Sequence, residues 1–549
     1  MNQVVMNLRN AIVALSACAL TVTVACAQRG GAVKLDYAAL NSQAASEYLQ
    51  PVHRGGDGTP YWNAFAKRFV YAPAFDFPRV KGAAKYVYTL TQDGKQWTFE
   101  AGSPNEALSP VWSEIPVGQT TLTVAAVNAK GKSVGQKAVR SFMRDFPFRG
   151  PYSTTAHGYR DAAVKGLMYC HNLDAIKHWL DHTEPDMDFE NNTYACKIIG
   201  STVSVECLLA RLMPSLRDDA VRMARNAADY LMRISQPATG ALPYFPPTYD
   251  REPNSKTGWP HRTWRLNQGK TMFLEAVEVA EAYLDLYDVT GERKYYDMAL
   301  HIADTYQRLQ EKDGAFPIKV YWVTGRPVDG AKATPSPLLF LIRRLQSQYH
   351  ITTYDSVMTR AEAWMRENYL KSFNLTGQFE DQEMEGLKPF QNLTNCTAND
   401  YAYYLLTKPA PTKDEVATAA ELMRLCEDQF VHWDILPDSA TGLRMEYTPN
   451  VHEQYQYETP VDDSAGQVGR GFLALYKATG DKLWLAKAVA LTNSIATVQN
   501  QWNGQVPTTW SFVSKPAYAD RTYWPNCTLT SVSQLLRMAD FVQSGGMIY

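Results

Sequence analysis

The sequence predicts a mainly α-helical protein: six helical hairpins closed into a ring, behind a small β-sandwich of immunoglobulin or fibronectin type. Three observations predict it. Period-two alternation occupies an early stretch, helical periodicity fills roughly the last 400 residues, and a loop signature recurs about every 65 residues.

Residues 1–27 read as an export signal. Arg9 supplies the positive start, and Ala11 to Ala25 is apolar or small but short for a bilayer span. Ala25-Cys26-Ala27 places small residues at the cleavage positions, with Gln28 as the mature start. A competing reading takes Leu15-Ser16-Ala17-Cys18 as a lipobox and anchors the chain through Cys18. Either way the expected location is the periplasm, and no later stretch reads as a membrane helix. Six further cysteines, Cys170, Cys196, Cys207, Cys396, Cys426 and Cys527, form no CxxC pair. They read as buried small hydrophobes rather than zinc ligands or a disulfide framework. The net charge of -2 excludes the basic footprint of a nucleic-acid binder.

Residues 28–148 form the expected β-domain with a leading segment. Tyr86, Tyr88 and Leu90 alternate with polar positions, and Leu122, Val124 and Ala126 alternate with Thr121, Thr123, Ala125 and Val127. Asp93-Gly94, Pro116-Val117-Gly118 and Lys130-Gly131-Lys132 mark turns. Runs of this kind predict a β-sandwich.

Residues 149–549 form the expected ring. In Met272 to Tyr287, apolar residues recur at i, i+3 and i+4, and Tyr295 to Leu309 repeats the pattern. Similar loop starts follow one helix of each pair: Gly240-Ala-Leu-Pro-Tyr, Gly314-Ala-Phe-Pro-Ile, Gly377-Gln-Phe-Glu-Asp, Gly442-Leu-Arg-Met-Glu and Gly504-Gln-Val-Pro-Thr. A second repeated element is Thr290-Gly291-Glu292 against Thr479-Gly480-Asp481. Each unit is a long loop, an inner helix, a short turn and an outer helix, with residues 184–193 as the sixth loop. One hairpin cannot bury its apolar face alone, whereas six in a ring can.

Every long loop precedes an inner helix, so all six loops crowd one rim and make it the expected site. One loop carries Trp259, His261, Arg262, Trp264 and Arg265, a mixture suited to an anionic sugar: guanidinium for carboxylate, indole for the ring face. The next offers Tyr321 and Trp322, although its alternation also fits a plain hairpin. Glu380, Asp381, Glu383 and Glu385 crowd a third loop; such acids raise one another's pKa, and a calcium site or a solvated loop are the other readings. Asn399 and Asp400 open the following helix, where Asp400 either caps it or faces the site. The fifth loop mixes Glu446, His452, Glu453, Tyr455, Tyr457, Glu458 and Asp463, the last a cap or a site residue, with Arg470 deeper in its helix. The sixth adds Trp510, Asp520, Arg521, Tyr523 and Trp524. Glu206, among apolar neighbours, is either buried and paired or lines the pore.

The repeated G-x-[LFV]-P loops and TG[DE] turns make residues 150–549 resemble the six-hairpin glycosidases, the (α/α)6 toroids. With the front β-domain and the His261-Arg262-Thr263-Trp264-Arg265 loop, the layout is most similar to exo-β-glucuronidases of glycoside hydrolase family 154. The resemblance implies an exported hydrolase of uronic-acid-containing glycans with no cofactor. One carboxylate, Glu380 or Asp381, and another, Glu446, Glu453 or Glu458, would flank the bond, with Arg262 and Arg265 holding the uronate. Two alternatives stay open. A lyase or epimerase would use a Tyr or His base and a neutraliser drawn from Tyr455, Tyr457, His261, His452 and Asn399. A non-catalytic glycan-binding protein would need the aromatic residues but not paired acids.

Overall fold

The computed structural model describes residues 33–52, 64–155, 157–376, 387–512 and 523–546. The chain enters through helix α1 (Tyr37–Glu47), opened by Asp36, whose carboxylate accepts from the N–H groups of Ala38 and Ala39. Five strands follow: β1 (Arg68–Phe69), β2 (Lys85–Gln92), β3 (Lys95–Ala101), β4 (Gly118–Val127) and β5 (Ala138–Arg144). Their order is β1-β5-β4-β2-β3, antiparallel except for the parallel β1–β5 pair. The alternating positions read from sequence form its buried face: Tyr86, Tyr88 and Leu90 stand opposite Ala126, Val124 and Leu122.

The expected sandwich is corrected here. Among the described residues this domain holds one sheet, not two facing ones. Its buried face is covered instead by the short helix Ser109–Trp112 and by Phe75, which pack on Phe142 of β5. Alternation reports that one face of a sheet is covered; it carries no information about what covers it.

Two adjacent, fully buried carboxylates help fasten the sheet domain to the helical domain. Glu427 receives hydrogen bonds from Tyr48 (2.6 Å), Tyr71 (2.8 Å) and Trp433 (3.0 Å), and an ion pair from Lys487 (2.6 Å). Beside it Asp428 accepts from the backbone N–H groups of Val70 (2.6 Å) and Tyr71 (2.8 Å).

The helical domain is a closed ring of six hairpins. The inner helices are α3 (Gly200–Leu212), α6 (Ala276–Thr290), α8 (Ser336–Tyr349), α10 (Asn395–Leu406), α12 (Asp462–Thr479) and α14 (Pro525–Gln543). Outer helices α4 (Arg217–Ile234), α7 (Arg293–Leu309), α9 (Asp355–Glu367), α11 (Lys413–Phe430) and α13 (Lys482–Val498) pack on the first five in turn. The sixth pair joins the two ends of the domain: α14 packs on α2 (Tyr159–Asn172), the first outer helix, and on α3. A further helix, α5 (Trp259–Leu266), lies in the loop before α6.

The repeated sequence elements are repeated geometry. Gly291 and Gly480 both end inner helices at φ 74, the left-handed position glycine adopts without strain, and donate to Tyr287 and Tyr476 carbonyls at 2.7 Å. The loop glycines Gly314 and Gly504 seat backbone against the next outer helix. A Cβ at Gly314 would meet the Arg360 carbonyl at 2.4 Å, and one at Gly504 would meet the Lys165 carbonyl at 2.6 Å. Before each, a glutamine bridges to that same helix, Gln310 to Val357 O (3.0 Å) and Gln499 to Ala162 O (2.9 Å). The contact between α7 and α9 is thus repeated between α13 and α2, which closes the ring. No helix among the described residues is long and apolar enough to cross a membrane.

Candidate active site

The inner helices and rim loops enclose a cavity of about 1410 Å³. Its wall is written on the inner helices as polar stripes at helical spacing: Glu275, Glu278, Glu281 and Asp285 along α6 and its entry; Cys396, Asp400 and Tyr403 on α10; Asp463, Gln467 and Arg470 on α12; Cys527, Thr530 and Arg537 on α14. From the rise of a helix, Arg470 lies about 10 Å deeper than Asp463. Trp259, Tyr457 and Trp524 supply aromatic surface.

On the α6 and α8 side, Arg344 ties Glu281 (2.5 Å), Asp285 (2.9 Å) and Asp288 (3.0 Å) together, and Ser204 donates to Asp285 (2.8 Å). With Arg211 at 3.7 Å from Asp288, two cations face three carboxylates, so this end of the bowl stays net acidic. The α10, α12 and α14 side differs. Arg470 pairs with Asp400, and the guanidinium carbons of Arg470 and Arg537 stand 4.7 Å and 5.7 Å from the centroid of the Tyr403 ring. Burial acts to raise the Tyr403 hydroxyl, but Arg537 and Arg470 outweigh it and lower its pKa.

Asp463 is the most chemically distinctive acid of the mouth. Burial pushes its carboxyl up to about 6, and the charge of Asp400 adds to the rise; Thr530, Arg470 and Lys197 oppose it. Gln467 donates to its Oδ2 at 2.9 Å. Val461 is the cap of α12, so Asp463 lies inside the first turn facing the cavity rather than capping. Glu453 approaches from the rim strand Asn450–Gln454. The two acids line the same cavity as half-buried Cys396 and buried Cys527, and the charges of both acids raise the pKa of both thiols.

Of the residues singled out from sequence, Trp259, Asp400, Glu453, Tyr457, Asp463, Arg470 and Trp524 line this cavity. Glu380 and Asp381, with the rest of that acidic loop and its calcium alternative, lie outside the described residues, as do residues 1–27, Asp520 and Arg521. The other expected site residues do not line the cavity. Arg262 and Arg265 occupy the exposed face of α5, with Arg262 over the Trp259 ring, while His261 is buried on its opposite face beside Glu252 and stacks on Trp264. Tyr321 and Trp322 belong to the alternative short hairpin, closed by the Val320–Pro327 bridge, whose strand Lys319–Tyr321 also pairs with Lys270–Met272. Glu446 holds His452 (3.0 Å) on the outer face of the rim strand, and Glu458 is an exposed partner of Lys67 (2.7 Å). Tyr455 is turned to Gln429 (2.5 Å). Trp510 and Tyr523 are buried packing residues, and Asn399 is fully buried against Asn395 and Gln467. Glu206 resolves as buried and paired, 2.8 Å from His171.

Sequence reasoning missed Lys197, Glu275, Glu278, Tyr403, Gln467 and Arg537. The available signal was the polar stripe itself: residues three and four apart on helices otherwise apolar all round. The six described cysteines are free thiols. Among the described residues no group of three or more His, Cys, Asp or Glu is placed to hold a metal ion.

No protein-family profile matches the sequence, and no curated protein matches it. Solved structures do resemble the chain. A family 76 glycoside hydrolase from a bovine Bacteroides thetaiotaomicron strain matches at 10% identity and TM-score 0.43, over 83% of this chain and 93% of that one. Cellobiose 2-epimerase from Spirochaeta thermophila matches at 12% identity and TM-score 0.46, over 69% of this chain and 98% of that one. Unsaturated glucuronyl hydrolase from Bacillus sp. GL1 matches at 12% identity and TM-score 0.32, over 71% of this chain and 88% of that one.

Proposed function

We propose that the chain is an exported glycoside hydrolase acting on uronic-acid-containing glycans, with Asp463 as proton donor and Glu453 as the second carboxylate. The observation that carries this reading is that Asp463 and Glu453 line one cavity, where burial pushes the Asp463 carboxyl up to about 6. A carboxyl at that level keeps a useful protonated fraction near neutral pH and delivers a proton to the leaving oxygen. Glu453 then activates water or attacks the anomeric carbon. Trp259, Tyr457 and Trp524 offer faces for sugar rings.

The charge distribution orients an acidic sugar. Nine carboxylates and five cations line the cavity among the described residues, so a uronate is repelled from most of its wall. Arg470 pairs with Asp400 and, with Arg537, stands against the Tyr403 ring, and in this reading this end receives the substrate carboxylate. In this reading they take the role the sequence suggested for Arg262 and Arg265.

Tyr403 favours a second reading. A phenol whose proton affinity is lowered by two arginines is suited to abstract the proton next to a uronate carboxylate, as a lyase or epimerase does. The two chemistries are separated by turnover of uronate glycosides with Asp463→Asn, Glu453→Gln and Tyr403→Phe. Hydrolysis predicts new reducing ends without near-ultraviolet absorbance, and a loss of about 100-fold or more in the two acid variants. Absorbing unsaturated products that vanish in Tyr403→Phe would replace the hydrolase reading with the lyase one.

A further inference from the structure

The two carboxylates of the mouth are joined behind the cavity wall by a chain of side-chain amides. Asn395, the first residue of α10 and only 1% exposed, aims its Nδ2 at the carbonyl oxygens of His452 (3.0 Å) and Glu453 (3.0 Å) and at Ser464 Oγ (2.8 Å). One amide therefore clamps the strand that carries Glu453 to the turn of α12 that carries Asp463. One helical turn along, the fully buried Asn399 donates through Nδ2 to the Asn395 carbonyl (3.0 Å) and to Gln467 Oε1 (3.1 Å). That second bond decides which way the Gln467 amide faces. With its oxygen engaged by Asn399, Gln467 presents Nε2, and Nε2 donates to Asp463 Oδ2 at 2.9 Å.

We propose that Asn395, Asn399 and Gln467 are positioning residues for both carboxylates: Asn395 fixes Glu453 through its strand, and Asn399, acting through Gln467, aims the Asp463 side chain and sets how readily it gives up its proton. The inference rests on the proton-donor role given to Asp463 above.

The physical consequence has a definite sign. A donor on Oδ2 favours the charged carboxylate, so Gln467 holds Asp463 lower than burial alone would place it. Other groups facing Asp463 act as a fixed background. These are the Thr530 hydroxyl, the carboxylates of Asp400, neighbouring Asp462 and Glu453, the cations Arg470 and Lys197, and the thiols Cys396 and Cys527. Removing the Gln467 donor, or releasing Gln467 to turn its oxygen toward Asp463, raises the Asp463 pKa. Asn399 needs no contact with substrate to have this effect, which explains why a buried asparagine touches the site only through another side chain.

The test is the pH dependence of kcat/KM on a uronate glycoside, for the full chain and for Gln467→Leu, Asn399→Leu and the near-isosteric Gln467→Glu. Activity that needs protonated Asp463 falls as pH rises, and the midpoint of that falling limb reports its pKa. All three variants are expected to move the limb upward, by about one pH unit for the loss of one hydrogen bond to a charged group. Gln467→Glu serves where a leucine variant does not fold, because it keeps the shape and replaces the donor by a second carboxylate. A limb that stays in place while kcat/KM falls equally at every pH overturns the proposal and leaves these amides a packing role. An inactive Asp463→Asn beside such unmoved limbs confines the failure to the relay. An Asp463→Asn variant with undiminished activity removes the proton-donor assignment and the relay together.

Discussion

Glu427, fully buried at the seam between the sheet and the ring, and Asp463, half-buried at the mouth of the cavity, are two carboxylates that the fold treats in opposite ways. Glu427 is met on both oxygens by three hydroxyl or indole donors and the Lys487 ammonium, all within 3.0 Å. Asp463 has a glutamine amide and Thr530, faces another carboxylate, and is pushed up to about 6. A buried charge surrounded by donors locks two elements together. One left with fewer donors holds its proton to higher pH and is available for chemistry.

The largest expected effect lies at the seam. Glu427→Gln leaves Lys487 buried without its counter-charge and should cost about 3–5 kcal/mol in chemical denaturation. A cost below about 1 kcal/mol would mean that Lys487 finds another partner and that the contrast is overdrawn.

Next is Asp463→Asn, with opposite signs for activity and stability. Turnover should fall about 100-fold to 10,000-fold. Because the folded pKa lies above the unfolded one, the fold loses stability as pH rises from the ordinary carboxylate range through about 6, by up to about 3 kcal/mol. The variant should therefore melt at a higher temperature than the parent at pH 8 and at the same temperature below pH 4. Equal melting at both pH values would show that Asp463 is not held protonated.

Smaller again is Arg537→Met. It should raise KM about 10-fold for uronate glycosides and leave neutral glycosides unaffected, the size expected for one charge-assisted contact. The smallest effect is expected for Arg262→Ala and Arg265→Ala, which sit on the exposed face of α5. Stability should change by less than about 0.5 kcal/mol and KM by less than about twofold. A large KM increase in either would return the uronate contact to the rim.

The ring was legible in the sequence because its punctuation is physical. Gly291 and Gly480 must adopt positive φ to end their helices, and Gly314 and Gly504 must lack a Cβ to let the next outer helix approach. Such constraints recur wherever the hairpin recurs. Directions of side chains on the rim were not legible. Arg262 and Arg265 share a segment with Trp259 and Pro260, yet only the latter two reach the cavity, because a short helix turns the arginines outward. Asp463 could be placed at the start of a helix from sequence. Its facing followed only once Val461 was seen to take the capping position. The single sheet was misread as a sandwich because one buried face looks the same under a second sheet and under a helix with loops.

The central claim is that Asp463 and Glu453 divide one reaction between them. It is tested most directly by kcat/KM for two uronate glycosides that differ only in the leaving group, one activated and one poor, with Asp463→Asn and Glu453→Gln. The account predicts that Asp463→Asn slows the poor leaving group at least about 100-fold more than the activated one, which needs no proton, whereas Glu453→Gln slows both alike. Equal losses for both substrates in Asp463→Asn would contradict it.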